Sequence, residues 1–279
     1  MESFPFKPAL NTSTLRPYDL SVPEQIDVAA DAGFDGIELW VRDIQAFVEA
    51  GHKPEELAKR SRDRGIAIVN GIAFFKWTDA DADVRQEGLE QARREIDLLK
   101  RVGCLAVAAP PTGSVAELDL EEIAENLLVL DKLARSLGVT PILEFWGRAP
   151  VLHSVAEAKT VLKKSGLVRA SMLLDLFHMY TGGSSVEDVA GLRGEQVGLV
   201  HINDYPSHPP RETIKDSDRV MPGDGTGPVL DFYRALAQIG YAGYLSVELF
   251  RPEYEAGSAA GVAKESLEKT VRVWEEANG

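Results

Sequence analysis

Short apolar runs alternate with stretches of helical periodicity along the whole chain, and this alternation predicts eight strand–helix pairs. The predicted strands are Lys7–Asn11, Gly36–Trp40, Ala67–Ile72, Leu105–Ala109, Pro141–Phe145, Ala170–Asp175, Gly198–Ile202 and Tyr244–Leu249. Several are almost continuously apolar, as expected for parallel strands covered on both faces. The intervening helices carry start and stop signals. Ser21 with Glu24 three residues on resembles a capping box, and Pro23 suits a first turn. Pro54 opens PEELAKRSRDRG, and Gly65 is placed to end it. Apolar residues recur at helical spacing from Asp83 to Arg101 and from Glu121 to Leu137, and Val262 to Trp274 closes the set.

No linker, low-complexity tract or charge block divides the chain, so one domain over residues 1–279 is expected. Eight unbroken βα units favour an α/β fold of the closed (β/α)8 TIM-barrel kind over an open doubly wound sheet. A G-x-G-x-x-G turn is missing after the first predicted strand, which counts against dinucleotide binding. The connection 203–228, NDYPSHPPRETIKDSDRVMPGDGTGP, is unusually long. Long ordered loops are usually functional, and the loops after the strands form the active face of a barrel.

Composition narrows the function. With 44% hydrophobic and 27% charged residues, the chain is ordinary for a soluble protein with a large core. No apolar run approaches the ~20 residues needed to span a bilayer. The stretch Met1 to Phe6 lacks the basic flank and apolar run of a signal peptide. Cys104 is the only cysteine, so no intrachain disulfide forms and a cytoplasmic, reducing location is expected. It lies in the apolar run CLAVAAP and reads as a buried core residue rather than a nucleophile. A net charge of −14 repels phosphate backbones, and the basic residues are scattered among acids, as in QARREIDLLKR. A small uncharged substrate fits better than nucleic acid or membrane, and a homo-oligomer is compatible with this surface.

Four side chains able to ligate a metal close the last four predicted strands: Glu144 in PILEF, Asp175 in SMLLD, His201 in GLVHIN and Glu248 in LSVEL. A single such acid reads equally well as a helix cap or an ion-pair partner. Acids closing successive apolar runs fit that explanation less well, because burying an unpaired carboxylate is expensive. Three carboxylates and an imidazole suit one divalent ion such as Mn²⁺, Mg²⁺, Co²⁺ or Zn²⁺. Glu38, within GIELW, is placed to bind substrate or to organise the ligands' surroundings. Trp40, Phe74, Phe75, Trp77 and Trp146 follow predicted strands and can wall a dry pocket. Arg251 and Tyr254 follow Glu248 closely enough to close a rim or meet a second subunit, while His52, His153 and His208 have no evident partner.

The strings LEFWG, LDLFHMY, VHINDYP, DRVMPGDG and SVELFRPEY resemble the xylose-isomerase-like family of barrels, also called the endonuclease-IV-like sugar isomerase/epimerase group. Within it, LEFWG, LDLFH, DRVMPGDG and above all SVELFRPEY are most similar to the inosose (2-keto-myo-inositol) isomerases. The resemblance implies one divalent ion held by Glu144, Asp175, His201 and Glu248. It makes Glu144 and Glu248 the pair that exchanges protons with substrate from opposite sides. His178, in Asp-x-x-His, matches a substrate-binding histidine; Arg219, before Pro222-Gly223, matches an arginine that reaches a substrate oxygen; and Trp146 joins them on the substrate side. The implied activity is isomerisation or epimerisation of a polyol ketone or keto-sugar in carbohydrate or inositol catabolism. It runs through an enediolate whose charge the cation, Arg219 and His178 offset.

Two alternatives share the scaffold. A lyase that dehydrates an inosose or eliminates from a 3-keto sugar needs the same enolate. A DNA-repair nuclease of the endonuclease IV kind needs three zinc ions and further histidines. Here Gly71-Ile72-Ala73 and Ala108-Ala109-Pro110 supply no ligand, and Val220 stands where the nuclease pattern has His.

Overall fold

A computed structural model, describing residues 3–278, places the strands where the apolar runs lie. They are β1 (Lys7–Asn11), β2 (Gly36–Trp40), β3 (Ala67–Ile72), β4 (Ala106–Ala109), β5 (Thr140–Glu144), β6 (Met172–Asp175), β7 (Val197–Ile202) and β8 (Tyr244–Val247). Each pairs in parallel with the next, and β1 pairs with β8, so the sheet closes in sequence order as a TIM barrel. Parallel neighbours require a crossover, and the amphipathic segments supply it as α1 (Val22–Ala32), α2 (Val41–Glu49), α3 (Pro54–Arg64), α4 (Ala82–Arg101), α5 (Leu120–Ser136), α6 (Val155–Ser165), α7 (Leu176–Gly182), α8 (Val229–Gln238) and α9 (Ala259–Asn278). Among the described residues no helix is long and apolar enough to cross a membrane.

Strand periodicity separates two cores. Inside the barrel, Trp40, Ile72, Ala108, Ile142, Leu173 and Leu199 form one cluster, contributed singly by β2 to β7. Their chain neighbours, such as Leu39, Leu143, Leu174 and Val200, point outward into the larger core beneath the helices. Side chains alternate across a strand. Residues two positions beyond Ile142, Leu173 and Leu199 therefore return to the interior, at the carboxyl ends of their strands. Those residues are Glu144, Asp175 and His201, so the pleat that packs the core also gathers the polar groups.

The helix signals act as read. Glu24 accepts a hydrogen bond from the backbone N–H of Ser21 at 2.8 Å, and Gly65 ends α3 in the left-handed region at φ 68°. Some boundaries differ. Leu105, expected in the fourth strand, is 65% exposed and precedes β4. The helix α7 follows β6 without a break, because MLLDLFHMY stays apolar through the transition and gives no change of period until the cap is seen. That cap is Asp175, whose Oδ1 accepts from the N–H groups of Phe177 (2.8 Å) and His178 (3.0 Å).

The long connection after β7 folds back onto the strand ends. Asp204 and Val220 exchange two backbone hydrogen bonds of 2.9 Å. The Asp204 carboxylate, buried, accepts from the N–H groups of Tyr205, Gly223, Gly225 and Gly227 at 2.7, 3.2, 3.0 and 2.8 Å. A Cβ at Gly225 would stand 2.4 Å from Asp204 Oδ1, so this wrapping requires glycine there. The clamp brings Arg219 over the barrel mouth.

Candidate active site and metal centre

Asp175, His201 and Glu248 come together at the carboxyl end of the barrel, each offering a ligand atom within 4.8 Å of the others, and all three are buried. Strand register explains the gathering: His201 pairs with Asp175 on one side and with Ser246 on the other, which sets Glu248 just beyond it. His201 Nδ1 lies 3.5 Å from Asp175 Oδ2 and 3.2 Å from Glu248 Oε2. That nitrogen is buried and has no hydrogen-bond partner, whereas Nε2 lies 3.1 Å from Glu38. A carboxylate behind a histidine whose other nitrogen meets two carboxylate oxygens is the arrangement that orients an imidazole toward a metal. The donors present thus fit a divalent cation.

Of the two places expected for Glu38, beside substrate or around the ligands, it occupies the second. It is fully buried, does not line the cavity, and sits beneath His201, where it accepts from Asn70 Nδ2 at 2.7 Å and Asn11 Nδ2 at 3.3 Å. The reason is register: Asn11, Glu38 and Asn70 are direct partners across β1, β2 and β3 and form one polar layer. Asn11 also donates to Glu248 Oε1 at 3.0 Å and accepts from Trp40 Nε1 at 2.9 Å. The asparagines went unread in the sequence, although their signal was there in polar residues inside the first and third apolar runs.

Glu144 stands apart from the close group of three. It lines the same cavity and accepts from Trp146 Nε1 at 3.2 Å. Burial pushes its carboxyl up to about 8, against the pull of His201 and with the repulsion of Glu248 and Asp175. A bound cation would reverse that. Burial also opposes charge on His201, but the carboxylates of Glu248 and Glu38 overcome it and hold the imidazole well above its ordinary range. A metal bound there would have to displace a proton from it.

Arg219 contacts two of the candidate ligands directly. Its Nη1 donates to Asp175 Oδ2 and to Glu248 Oε2, both at 2.9 Å, and Nη2 reaches Asp216 Oδ1 at 2.6 Å. The side chain is 1% exposed and lies over the ring of Phe177 at 4.5 Å. Nη2 is 3.5 Å from His178 Nε2, so the two residues expected to meet substrate are neighbours. Asp175 thus serves two purposes, Oδ1 capping α7 and Oδ2 facing Arg219 and His201, and Arg219 holds its carboxyl well below the usual range against the effect of burial.

Around this centre a cavity of about 660 Å³ is lined by Trp40, Phe74, Trp146, Phe177, His178 and Phe250, together with Glu144, His201, Arg219 and Glu248. Phe75 and Trp77, read as wall residues, are buried in the outer core instead. His52 and His153 do have partners, Glu56 at 3.5 Å and Glu157 at 3.0 Å, and neither histidine lines the cavity. Cys104 is buried, which pushes its thiol up to about 12 and leaves it unreactive.

If Glu38 orients His201, Glu38→Gln should weaken Zn²⁺ binding about 10–100-fold. Competition against a chromophoric chelator measures it. An unchanged dissociation constant would mean that His201 needs no such support.

A family model described as "Xylose isomerase-like TIM barrel" matches residues 26–273. The inosose isomerase of Bacillus velezensis is 27% identical over 260 residues, covering 91% of this chain and 92% of that protein. The 3-dehydroshikimate dehydratase of Pseudomonas aeruginosa is 26% identical over 257 residues, covering 88% of this chain and 39% of that longer protein. A crystal structure of the IolI protein with a bound zinc atom superposes with a TM-score of 0.88 at 25% identity, covering 97% and 99% of the two chains.

Proposed function

The chain belongs to the xylose isomerase-like TIM barrel family, and from that footing we propose that it is a metal-dependent, cytoplasmic isomerase or epimerase of a polyol ketone or keto-sugar, of the inosose type. The observation that carries this reading is the shared cavity: two carboxylates, Glu144 ending β5 and Glu248 just after β8, line it with His201, His178 and Arg219. Relatives named as inosose isomerases and an epimerase of D-psicose support the reaction class.

Asp175, His201, Glu248 and, from outside their close group, Glu144 would hold the ion. When bound, it supplies positive charge beside a ketone oxygen and makes the neighbouring C–H more acidic. The residues divide the remaining work. Glu144, without a cationic partner among its hydrogen bonds, is suited to carry a proton, and Glu248 is fixed by Arg219 and Asn11. A pair of acids in contrasting surroundings is how one site takes a proton at one carbon and returns it at the next. Arg219 and His178 are placed to hold the substrate oxygens on which negative charge develops. The aromatic wall excludes water, which strengthens each of these contacts.

A dehydratase on the same machinery is the second reading, favoured by the 3-dehydroshikimate dehydratase among the relatives. The two separate in one experiment. Metal-loaded protein is incubated in D₂O with inososes and keto-sugars and followed by NMR. Deuterium incorporated next to the carbonyl with the mass otherwise kept is the expected result, loss of water identifies the dehydratase, and absence of both rejects the proposal.

A further inference from the structure

Resting on the reading of a metal-dependent site that includes Arg219, we infer that Arg148 is a positioning residue for that arginine, acting through the turn 210–214 and Asp216. Arg148 stands four residues after Glu144, in the connection that follows β5, and lines the cavity. Its Nη2 donates to the carbonyls of Arg211 and Ile214, both at 2.7 Å, and its Nη1 to that of Glu212 at 3.3 Å. The residues it holds form a single helical turn, in which the N–H groups of Thr213 and Ile214 donate to the Pro210 carbonyl at 2.9 and 3.0 Å. A helical turn that stops leaves its last carbonyls without partners, and a planar guanidinium fork can satisfy several at once.

Little else fastens this stretch. The Asp204 clamp holds Gly223, Gly225 and Gly227, at the far end of the loop. Among the described residues, the hydrogen bonds that join 206–215 to any element outside the loop are those of Arg148, and Ile214 is the one buried side chain there. Two residues past the Ile214 carbonyl stands Asp216, whose Oδ1 accepts from Arg219 Nε at 3.1 Å and Nη2 at 2.6 Å. The Asp216 side chain is 55% exposed. An exposed carboxylate on a free loop holds its partner weakly. Tied down through Ile214, it becomes a fixed support for a guanidinium whose Nη1 meets Asp175 Oδ2 and Glu248 Oε2 on the other side. Those two oxygens also face His201 Nδ1, so Arg219 and a cation compete for them. The strength of Arg148's hold on the turn therefore sets how firmly Arg219 occupies the metal centre.

The test is a double-mutant cycle read by zinc binding, which needs no turnover. Zn²⁺ affinities of wild type, Arg148→Met, Arg219→Met and the double variant are measured by competition with a chromophoric chelator, and amide hydrogen exchange is followed over 211–219. Arg148→Met should bind Zn²⁺ about three- to tenfold tighter than wild type, and the gain should vanish where residue 219 is already methionine. Amides of 211–219 should exchange faster while those of the strands keep their rates. Faster exchange with unchanged zinc affinity would make Arg148 a loop anchor only and overturns the inference. Unchanged exchange, or a zinc shift that persists beside Arg219→Met, overturns it as well. Should Arg148→Met not fold, Arg148→Lys, which keeps the charge but not the fork, should show the same shifts at smaller size. Wild type without zinc affinity rejects the metal-dependent reading and this inference together, whereas zinc held equally by wild type and Arg148→Met rejects this inference alone.

Discussion

Replacing Glu144 or Glu248 with glutamine is expected to lower kcat by about 10²–10⁴-fold each while the barrel stays folded. An amide keeps the size and one acceptor of the carboxylate but cannot take up a proton near neutral pH. Glu144→Gln is the cleaner variant. In the metal-free protein burial already favours the neutral carboxyl there, so the amide replaces a group of like charge. Its pH behaviour supplies an independent check. A carboxyl raised from its ordinary value to about 8 stays protonated in the folded state while the unfolded chain has released its proton. Folded protein then binds more protons than unfolded, and the stability contributed by this group is full below the ordinary value and is lost as pH rises toward 8. Metal-free wild type should thus lose Tm between about pH 5 and pH 8 relative to Glu144→Gln, whose residue 144 does not titrate. Near-native kcat in either glutamine variant, with metal bound, would remove that residue from the proton-transfer role.

The architecture was legible because its signals are local. Runs such as PILEF and GLVHIN are apolar enough to be strands, and the polar Glu144 and His201 near their ends are visible where they stand. Glu144, Asp175, His201 and Glu248 do lie at or next to strand ends, but only the barrel shows that the last three are mutual neighbours and that Glu144 stands outside their close group. Glu38 was the harder case. Its partners Asn11, Asn70 and His201 are distant in sequence and meet only through the register of β1, β2, β3 and β7. Asp175 as helix cap and ligand candidate together was hidden because the two uses fall on different oxygens of one carboxylate. The aromatic residues were read one by one, yet the engagement of the Trp40 and Trp146 indole donors depends on contacts that no periodicity reports.

Arg219 gives the other large expected effect, and here geometry revises a sequence-based expectation. Read from the chain, the arginine matches one that reaches a substrate oxygen. In the structure its guanidinium joins Asp175 and Glu248, 2.9 Å from each, in a setting that is 1% exposed. Burial acts against that charge, and Asp175, Glu248 and Asp216 together hold it in place with its pKa raised. Arg219→Met therefore leaves the buried carboxylates of Asp175 and Glu248 with His201 as their one remaining cationic neighbour, which should destabilise the metal-free protein by about 3–5 kcal/mol. Zn²⁺ should restore much of the loss, because a divalent cation among Asp175, His201 and Glu248 takes over the neutralisation, and the variant should bind zinc more tightly than wild type. Arg219→Lys keeps the charge but not the planar fork that serves Asp175, Glu248 and Asp216 at once. It should retain most of the stability yet lower kcat/KM by about 10–10³-fold, as loss of a positioned donor to developing charge does. Denaturant melts with and without zinc, zinc titrations, and steady-state kinetics on the substrate found by deuterium exchange separate the roles. A methionine variant as stable as wild type without zinc would mean that the carboxylates take up protons instead of needing Arg219, and full activity in the lysine variant would make the long loop a lid rather than part of the chemistry.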